Sequence, residues 1–232
     1  MSDSAIVMFN SMFLPIDFPQ SVSADYLQYQ IYDTIQSFIG YIKYQMLTLS
    51  FLKALGVGSS NATLMNAMII WILRDTTGVI MGLAAGTPYC IRAFSDSRKL
   101  KKWRMIAECI RTITGLIEIF GSSCPPYLFI VLTCLCSASN SVASVMETQT
   151  RSILMKHFAL RNNFSDCAAK ESNQDRGIKI FGIPLAFLWL YSIQGNLVLM
   201  ISSYLLVVSL KLYFTYLSVK VLQLVHYKKE SH

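Results

Sequence analysis

Ala62-Thr-Leu-Met-Asn-Ala-Met-Ile-Ile-Trp71-Ile-Leu-Arg74-Asp75-Thr-Thr-Gly78-Val-Ile-Met-Gly82-Leu-Ala-Ala-Gly86 is a nearly unbroken apolar run with two full charges at its middle. It is long enough to cross a bilayer as one helix, for which about 20 mostly apolar residues suffice. Neighbouring helical residues do not share a face, so Arg74 and Asp75 do not neutralise each other. The spacing predicts a cation–π contact between Trp71 and Arg74 and an inter-helix partner for Asp75, with Arg111 as the candidate. Charges at such positions line a bundle interior or an aqueous path, which makes Trp71, Arg74, Asp75 and Arg111 a buried polar core or a ligand-binding group. An inter-helix salt bridge is the blander of those two roles. Gly78, Gly82 and Gly86 recur every four residues, the small-residue stripe along which another helix packs closely.

The rest of the chain has the same character. Of 232 residues, 53% are hydrophobic and 14% charged, with a mean hydropathy of +0.45. Soluble domains run near 25% charged, and disordered chains lack the apolar surface seen here. An all-α, polytopic helical membrane protein is the expected class. Apolar stretches at 38–55 and 62–86 flank Gly56-Val-Gly58-Ser-Ser-Asn61; a second pair, 105–120 and 127–146, flanks Gly121-Ser-Ser-Cys-Pro125-Pro126; a third, 181–193 and 197–219, flanks Gln194-Gly195-Asn196. Each break reads as a turn, which predicts three helical hairpins. A single span across 185–210 is the alternative for the third.

The net charge is +7, and 15 of the 20 basic residues fall at 92–104, at 151–179 and in the tail with Lys220, Lys228 and Lys229. The turns inside the hairpins hold no Lys or Arg. Basic links on one side and uncharged turns on the other is the positive-inside pattern. Basic residues here are not interleaved with exposed stacking aromatics, so nucleic acid is not expected as a partner. Residues 1–11 show no basic leader or long apolar core, so no cleavable signal is expected.

Ser23 is placed to cap a helix from Ala24, with Leu27, Ile31, Ile35 and Phe38 on one face and Asp25, Gln28, Tyr32 and Gln36 on another. Such a helix suits a membrane interface or the surface of a soluble core. The longest polar stretch, about 148–179, predicts a helix-and-loop segment whose Arg151, His157, Asn162, Asn163, Lys170, Glu171 and Gln174 form a partner or ligand surface. His157 has no Ser or Cys placed as its nucleophile, and Lys170 has no phosphate-cradling loop. Cys90, Cys109, Cys124, Cys134, Cys136 and Cys167 make no metal-site spacing, and reduced thiols are expected. No catalytic constellation, metal site or cofactor is expected from these residues.

Taken together, Phe13-Leu14-Pro15, Pro19-x-Ser21-Val22-x-x-Asp25-Tyr26-Leu27-x-Tyr29-Gln30-x-x-Asp33-x-x-Gln36, Trp71-x-Leu73-Arg74-Asp75-x-x-Gly78, Lys102-Trp103-Arg104-x-x-Ala107, Thr150-Arg151, His157-Phe158-Ala159-x-x-Asn162-Asn163 and Ala169-Lys170-Glu171-Ser172-x-Gln174 resemble the signature of the root UV-B sensitive family. The resemblance runs from about residue 13 to 182, with apolar C-terminal helices over 181–225, and one domain over 1–232 is expected. Departures include Asp17-Phe18 in place of Gly-Tyr, Tyr32 for a tryptophan and Glu108 for an aspartate. They imply a divergent or minimal member without the C-terminal extension of many relatives.

The resemblance implies links to UV-B and light responses and to vitamin B6 homeostasis, complexes between family members, and an organelle membrane such as the mitochondrial, plastid or endoplasmic one. The expected function is a non-enzymatic scaffold or transport-related component in a lipid bilayer, forming homo- or hetero-oligomers with relatives. The alternative is a peripheral helical protein binding a phosphate-bearing cofactor such as pyridoxal phosphate through Lys170 or the region from Arg151 to Arg161.

Overall fold

The computed structural model describes residues 10–57, 64–193 and 195–223. Among these the chain is helical almost throughout. After a helical turn at 10–13 come α1 (Tyr26–Ala54), α2 (Leu64–Ala85), α3 (Pro88–Phe94), α4 (Leu100–Gly121), α5 (Pro126–Phe158), α6 (Phe164–Ile193) and α7 (Leu197–Val221). The single β-bridge among the described residues joins Val22 to Ala159.

Local chemistry sets most helix ends. Pro88 and Pro126 open α3 and α5, where a missing backbone N–H costs nothing and a fixed φ favours the first helical turn. Asn196 caps α7, its Oδ1 accepting from the N–H groups of Val198 at 3.0 Å and Leu199 at 3.2 Å. Gly195, at a φ of 89°, supplies the left-handed residue that turns α6 into α7. The break expected at 194–196 is therefore real at Gly195 and Asn196, and a single span across 185–210 does not form; Gln194, Gly58-Ser-Ser-Asn61 and the tail lysines 228 and 229 lie outside the described residues. The expected cap at Ser23 is also absent. The helix starts at Tyr26, and the Ser23 hydroxyl donates instead to Asp25 Oδ1 at 2.6 Å.

The third hairpin is longer than the apolar pattern indicates. Residues 164–179 and 181–193 join into one 30-residue helix, α6, which continues through Pro184. The polar half of α6 brings Glu171 and Asp175 to Arg151 of α5, and the apolar half buries Gly182 against Tyr41 of α1 together with Ala186 and Ile193 while most of its other side chains face outward.

Helices α1 and α7 pack together, α5 packs against both α2 and α4, and α4 and α6 complete the bundle. At one end the start of α1 meets the end of α5, where Ser23 N–H donates to the Phe158 carbonyl at 3.1 Å, and Lys101 reaches the Leu222 carbonyl at 2.9 Å. At the other end Phe51 of α1 stacks near Phe129 of α5, and a cleft joins Lys53 and Val57 to Gly195 and Leu197. The basic links and the end of α7 thus share one end, and the turns after α1, α4 and α6 share the other, as the hairpin pattern predicts.

Four helices, α2, α5, α6 and α7, are long and apolar enough to cross a membrane. The other two long helices, α1 and α4, carry more charge, and away from the exposed Lys53 and Lys102 near their ends that charge points inward. On α1 the buried residues are Tyr26, Tyr29, Gln30, Asp33, Gln36 and Lys43, whereas Leu27 is 48% exposed and Ile31 51%. A helix packed on a soluble core would bury the opposite stripe. On α2 just Gly78 and Ala85 are buried, and Leu64, Met65, Ile72, Val79, Ile80 and Leu83 all face outward. An apolar exterior on this scale matches hydrocarbon rather than water.

The glycine stripe packs within the chain. A methyl group on Gly78 would stand 2.6 Å from Ser137 Oγ, and one on Gly82 would touch Ser141, so α2 lies on α5. The nearest neighbours of a methyl group on Gly86 would be the Gly82 and Leu83 carbonyls of its own chain rather than a facing helix. A tighter contact sits at Gly115 of α4, where the Tyr204 hydroxyl of α7 occupies the space of a β-carbon and donates to the Thr112 carbonyl at 3.0 Å. Gly115→Ala is expected to destabilise the bundle by about 1–3 kcal/mol through overpacking. Thermal unfolding in detergent checks this; an unchanged midpoint would mean Tyr204 is not wedged there.

Candidate functional site

The inward faces of the helices stack charged groups into successive layers. At the basic end, Asp25 accepts from Ser23, from the Gln223 N–H at 2.9 Å, and has His157 Nε2 at 3.0 Å from Oδ2. Burial would raise its pKa, but the Ser23 hydroxyl, the Gln223 N–H and His157 together outweigh this and hold it below the ordinary value. About two turns deeper, Asp33 pairs with Arg104 and accepts from Tyr29 at 3.0 Å and Gln36 at 2.5 Å. The Arg104 guanidinium also lies over the Tyr29 ring, 5.5 Å from its centroid.

Arg151 of α5 bridges two carboxylates of α6, Glu171 at 2.7 Å and Asp175 at 2.9 Å. Next, Glu108 of α4 accepts from Lys43 of α1 at 2.8 Å and from Lys211 of α7. Arg111 lies 2.5 Å from Glu147, and Arg74 3.4 Å from Glu118. Each layer ties different helices together, so the pairs fix helix register as well as charge.

A cavity of about 620 Å³ opens among these layers. Its walls carry the cations Lys43, Arg74, Arg111, Arg151, Lys179 and Lys211 against the anions Glu118, Glu147 and Asp175, with Gln36, Ser137, Asn140, Ser141 and Ser144 between them. Chemically it is a cation-rich chamber of mixed wall, in which Tyr41, Tyr44, Leu47, Phe51 and Ile178 alternate with the charged groups, inside an apolar shell.

The expected residues meet these layers in part. Trp71 and Arg74 line the cavity, but Arg74 stacks on the Phe51 ring, 4.3 Å from its centroid, rather than on Trp71. Arg111 is taken by Glu147 and does not reach Asp75. Asp75 instead lies on the exposed side of α2, accepting from Trp71 Nε1 at 3.0 Å. The two were expected to meet because each looked unpaired along the chain, yet helix rotation turns them to different faces.

Within the polar segment, Arg151, Glu171 and Asp175 meet at the wall, while the other candidates are occupied by their own chain. Gln174 Nε2 donates to the Phe13 carbonyl at 2.8 Å, and its Oε1 accepts from Gln30. Asn162 takes a φ of 54° in the turn between α5 and α6, and Asn163 Oδ1 accepts from the Arg161 N–H at 3.4 Å. Lys170 donates to the Ser11 carbonyl at 2.5 Å and lies 3.7 Å from Asp166. These contacts tie Lys170 to the chain before α1 and to its own helix, and Lys170 is not among the residues of the cavity wall.

Lys43, Glu118, Glu147 and Lys211 are not marked as site residues by the sequence, and Glu108 stands there only as a departure from the family signature. Their partners lie far away along the chain, Lys211 and Glu108 being 103 residues apart. A usable signal existed: Lys43 and Lys211 are lone charges in apolar runs, the same pattern that marks Arg74.

Two outcomes check this layer scheme. Arg74→Ala strands Glu118 in the interior and is expected to destabilise by up to about 3 kcal/mol, with most of the loss recovered on adding Glu118→Gln; thermal unfolding in detergent measures both, and no loss from Arg74→Ala would contradict the pairing. Because Asp25 titrates below its unfolded value, its contribution is full above about pH 4 and fades as pH falls through the folded value. Asp25→Asn should therefore lower the unfolding midpoint at neutral pH and converge with the parent chain in acid. A gap independent of pH would argue that the carboxylate charge is irrelevant.

Residues 2–230 match the vitamin B6 photo-protection and homoeostasis domain. Protein root UVB sensitive 3 of Arabidopsis thaliana is 35% identical over 212 residues, covering 91% of this chain and 47% of that protein. RUS family member 1 of Dictyostelium discoideum is 32% identical over 216 residues, covering 92% of this chain and 40% of the relative. Protein root UVB sensitive 2, chloroplastic, of Arabidopsis is 28% identical over 194 residues, covering 82% of this chain and 43% of the relative. This chain spans less than half the length of these relatives, and no solved structure matches it. With nearly every residue inside the domain match, the chain belongs to the root UV-B sensitive family.

Proposed function

We propose that this chain is a non-enzymatic, transport-related membrane component whose solute enters the charged cavity between α1, α2, α4, α5, α6 and α7. The observation that carries this reading is the arrangement of charge: nine charged side chains line a chamber of about 620 Å³, while the outer surface of the same bundle is apolar. A pure scaffold has no need of a hollow, polar interior. Burying so many ions is costly, and intramembrane charges of this kind characteristically mark solute or ion paths.

The family's domain description places its physiology in vitamin B6 photo-protection and homoeostasis, and we assign this chain to the same area. An organelle membrane is the proposed location, by analogy with the relative whose name carries the word chloroplastic. Complexes with further family members are proposed as well. They would use the exposed faces of α2 and α6, because the glycine stripe of α2 is already occupied by α5.

Cysteine mapping in vesicles tests the reading. In a chain whose native cysteines are replaced by alanine, Ser141→Cys and Ser144→Cys should react with a membrane-impermeant charged thiol reagent, and Val79→Cys on the outward face of α2 should not. Protection of both cavity positions would refute a water-filled path.

A further inference from the structure

The layer formed by Lys43, Glu108 and Lys211 has unequal charge. Glu108 spends one oxygen on each lysine, and all three residues are buried at 8% exposure or less. Among the described residues neither lysine has a second carboxylate in ion-pair reach. The fold makes room for this surplus: a methyl group on Gly40 of α1 would stand 2.7 Å from Lys211 Cε, so glycine at that position lets Lys211 lie across α1 to Glu108.

The neighbouring layers do not offset it. Arg111 is matched by Glu147 and Arg74 by Glu118. The two carboxylates on Arg151 leave one negative charge, but Asp175 is partly exposed to solvent, and Lys179, exposed one turn beyond it on α6, lies on the same wall. One positive charge is thus left over at the Lys43–Glu108–Lys211 layer, where desolvation makes it expensive to leave unmatched. Both lysines line the cavity, so an anion in it has access to them.

We propose that this layer is an oxyanion site, and that the solute of the cavity carries a phosphate or carboxylate group which docks on Lys43 and Lys211. The proposal rests on the cavity reading above and names the chemical class that the cavity takes. Glu108 holds the two ammonium groups apart and oriented, leaving their remaining N–H donors for the incoming anion.

Calorimetric titration of inorganic phosphate, and separately acetate, into the purified full chain tests it, first in maltoside micelles free of phospholipid and then in phosphatidylcholine nanodiscs. Saturable binding of one of these anions in micelles is expected. Lys211→Met leaves a neutral Lys43–Glu108 pair, so that variant should fold and bind about tenfold more weakly or worse, the worth of one charged hydrogen bond. Lys43→Met serves the same purpose on the other side of Glu108. Binding retained in nanodiscs assigns the site to a soluble anion, and binding found in micelles alone assigns it to a lipid headgroup phosphate; both support an oxyanion site.

No saturable binding in micelles, or affinity unchanged in both lysine variants, overturns the proposal. If Ser141→Cys still reacts with the charged reagent in that case, the cavity reading survives and the anion site alone is lost. If Ser141→Cys and Ser144→Cys are both protected, the cavity reading fails first.

Discussion

Charges buried in an apolar bundle must find partners, and here that requirement sets the register of every long helix. Asp33 of α1 can be satisfied by Arg104 of α4 in one rotation of those helices, and Lys43 by Glu108 in the same one. Arg151 binds α5 to α6, and Lys211 binds α7 to α4. Apolar packing between helices in lipid has little solvophobic drive of its own, so ion pairs and close glycine contacts carry much of the specificity. Gly78 against Ser137 and Gly115 against Tyr204 bring backbones together, and the charge layers decide how they are turned.

That arrangement inverts the usual soluble pattern. The exterior of α2, α6 and α7 carries Ile72, Val79, Leu83, Phe187, Leu188 and Leu206, while the interior carries lysine, arginine and glutamate. The same inversion explains why α1 and α4 look too charged to be membrane helices when judged one at a time. Their charges face each other, and the exposed residues Ile113, Ile117 and Phe120 of α4 are as apolar as those of its neighbours.

Much of this was legible along the chain. Gly56, Pro125-Pro126 and Gly195-Asn196 mark hairpin turns, because glycine and proline punctuate helices by local geometry that needs no knowledge of the fold. The grouping of basic residues between hairpins follows from which links share an end. Pairing was not legible. Periodicity places Arg74 and Asp75 on different faces but cannot say which face meets which helix, and so Arg111 was matched to Asp75 when rotation delivers it to Glu147. The start of α1 was misplaced by two residues for a related reason: Ser23 satisfies Asp25, a residue drawn inward by His157 and Gln223 from distant parts of the chain. The family signature marked Asp25, Asp33, Gln36, Arg104 and Arg151 without giving them roles. The structure places all five in the interior charge layers or on the cavity wall.

The account stands or falls on hydrocarbon covering the apolar exterior. Extraction of native membranes with alkaline sodium carbonate measures this most directly. The chain should remain wholly in the membrane pellet and be released by detergent alone. Recovery of the folded chain in the carbonate supernatant would contradict a lipid-embedded bundle.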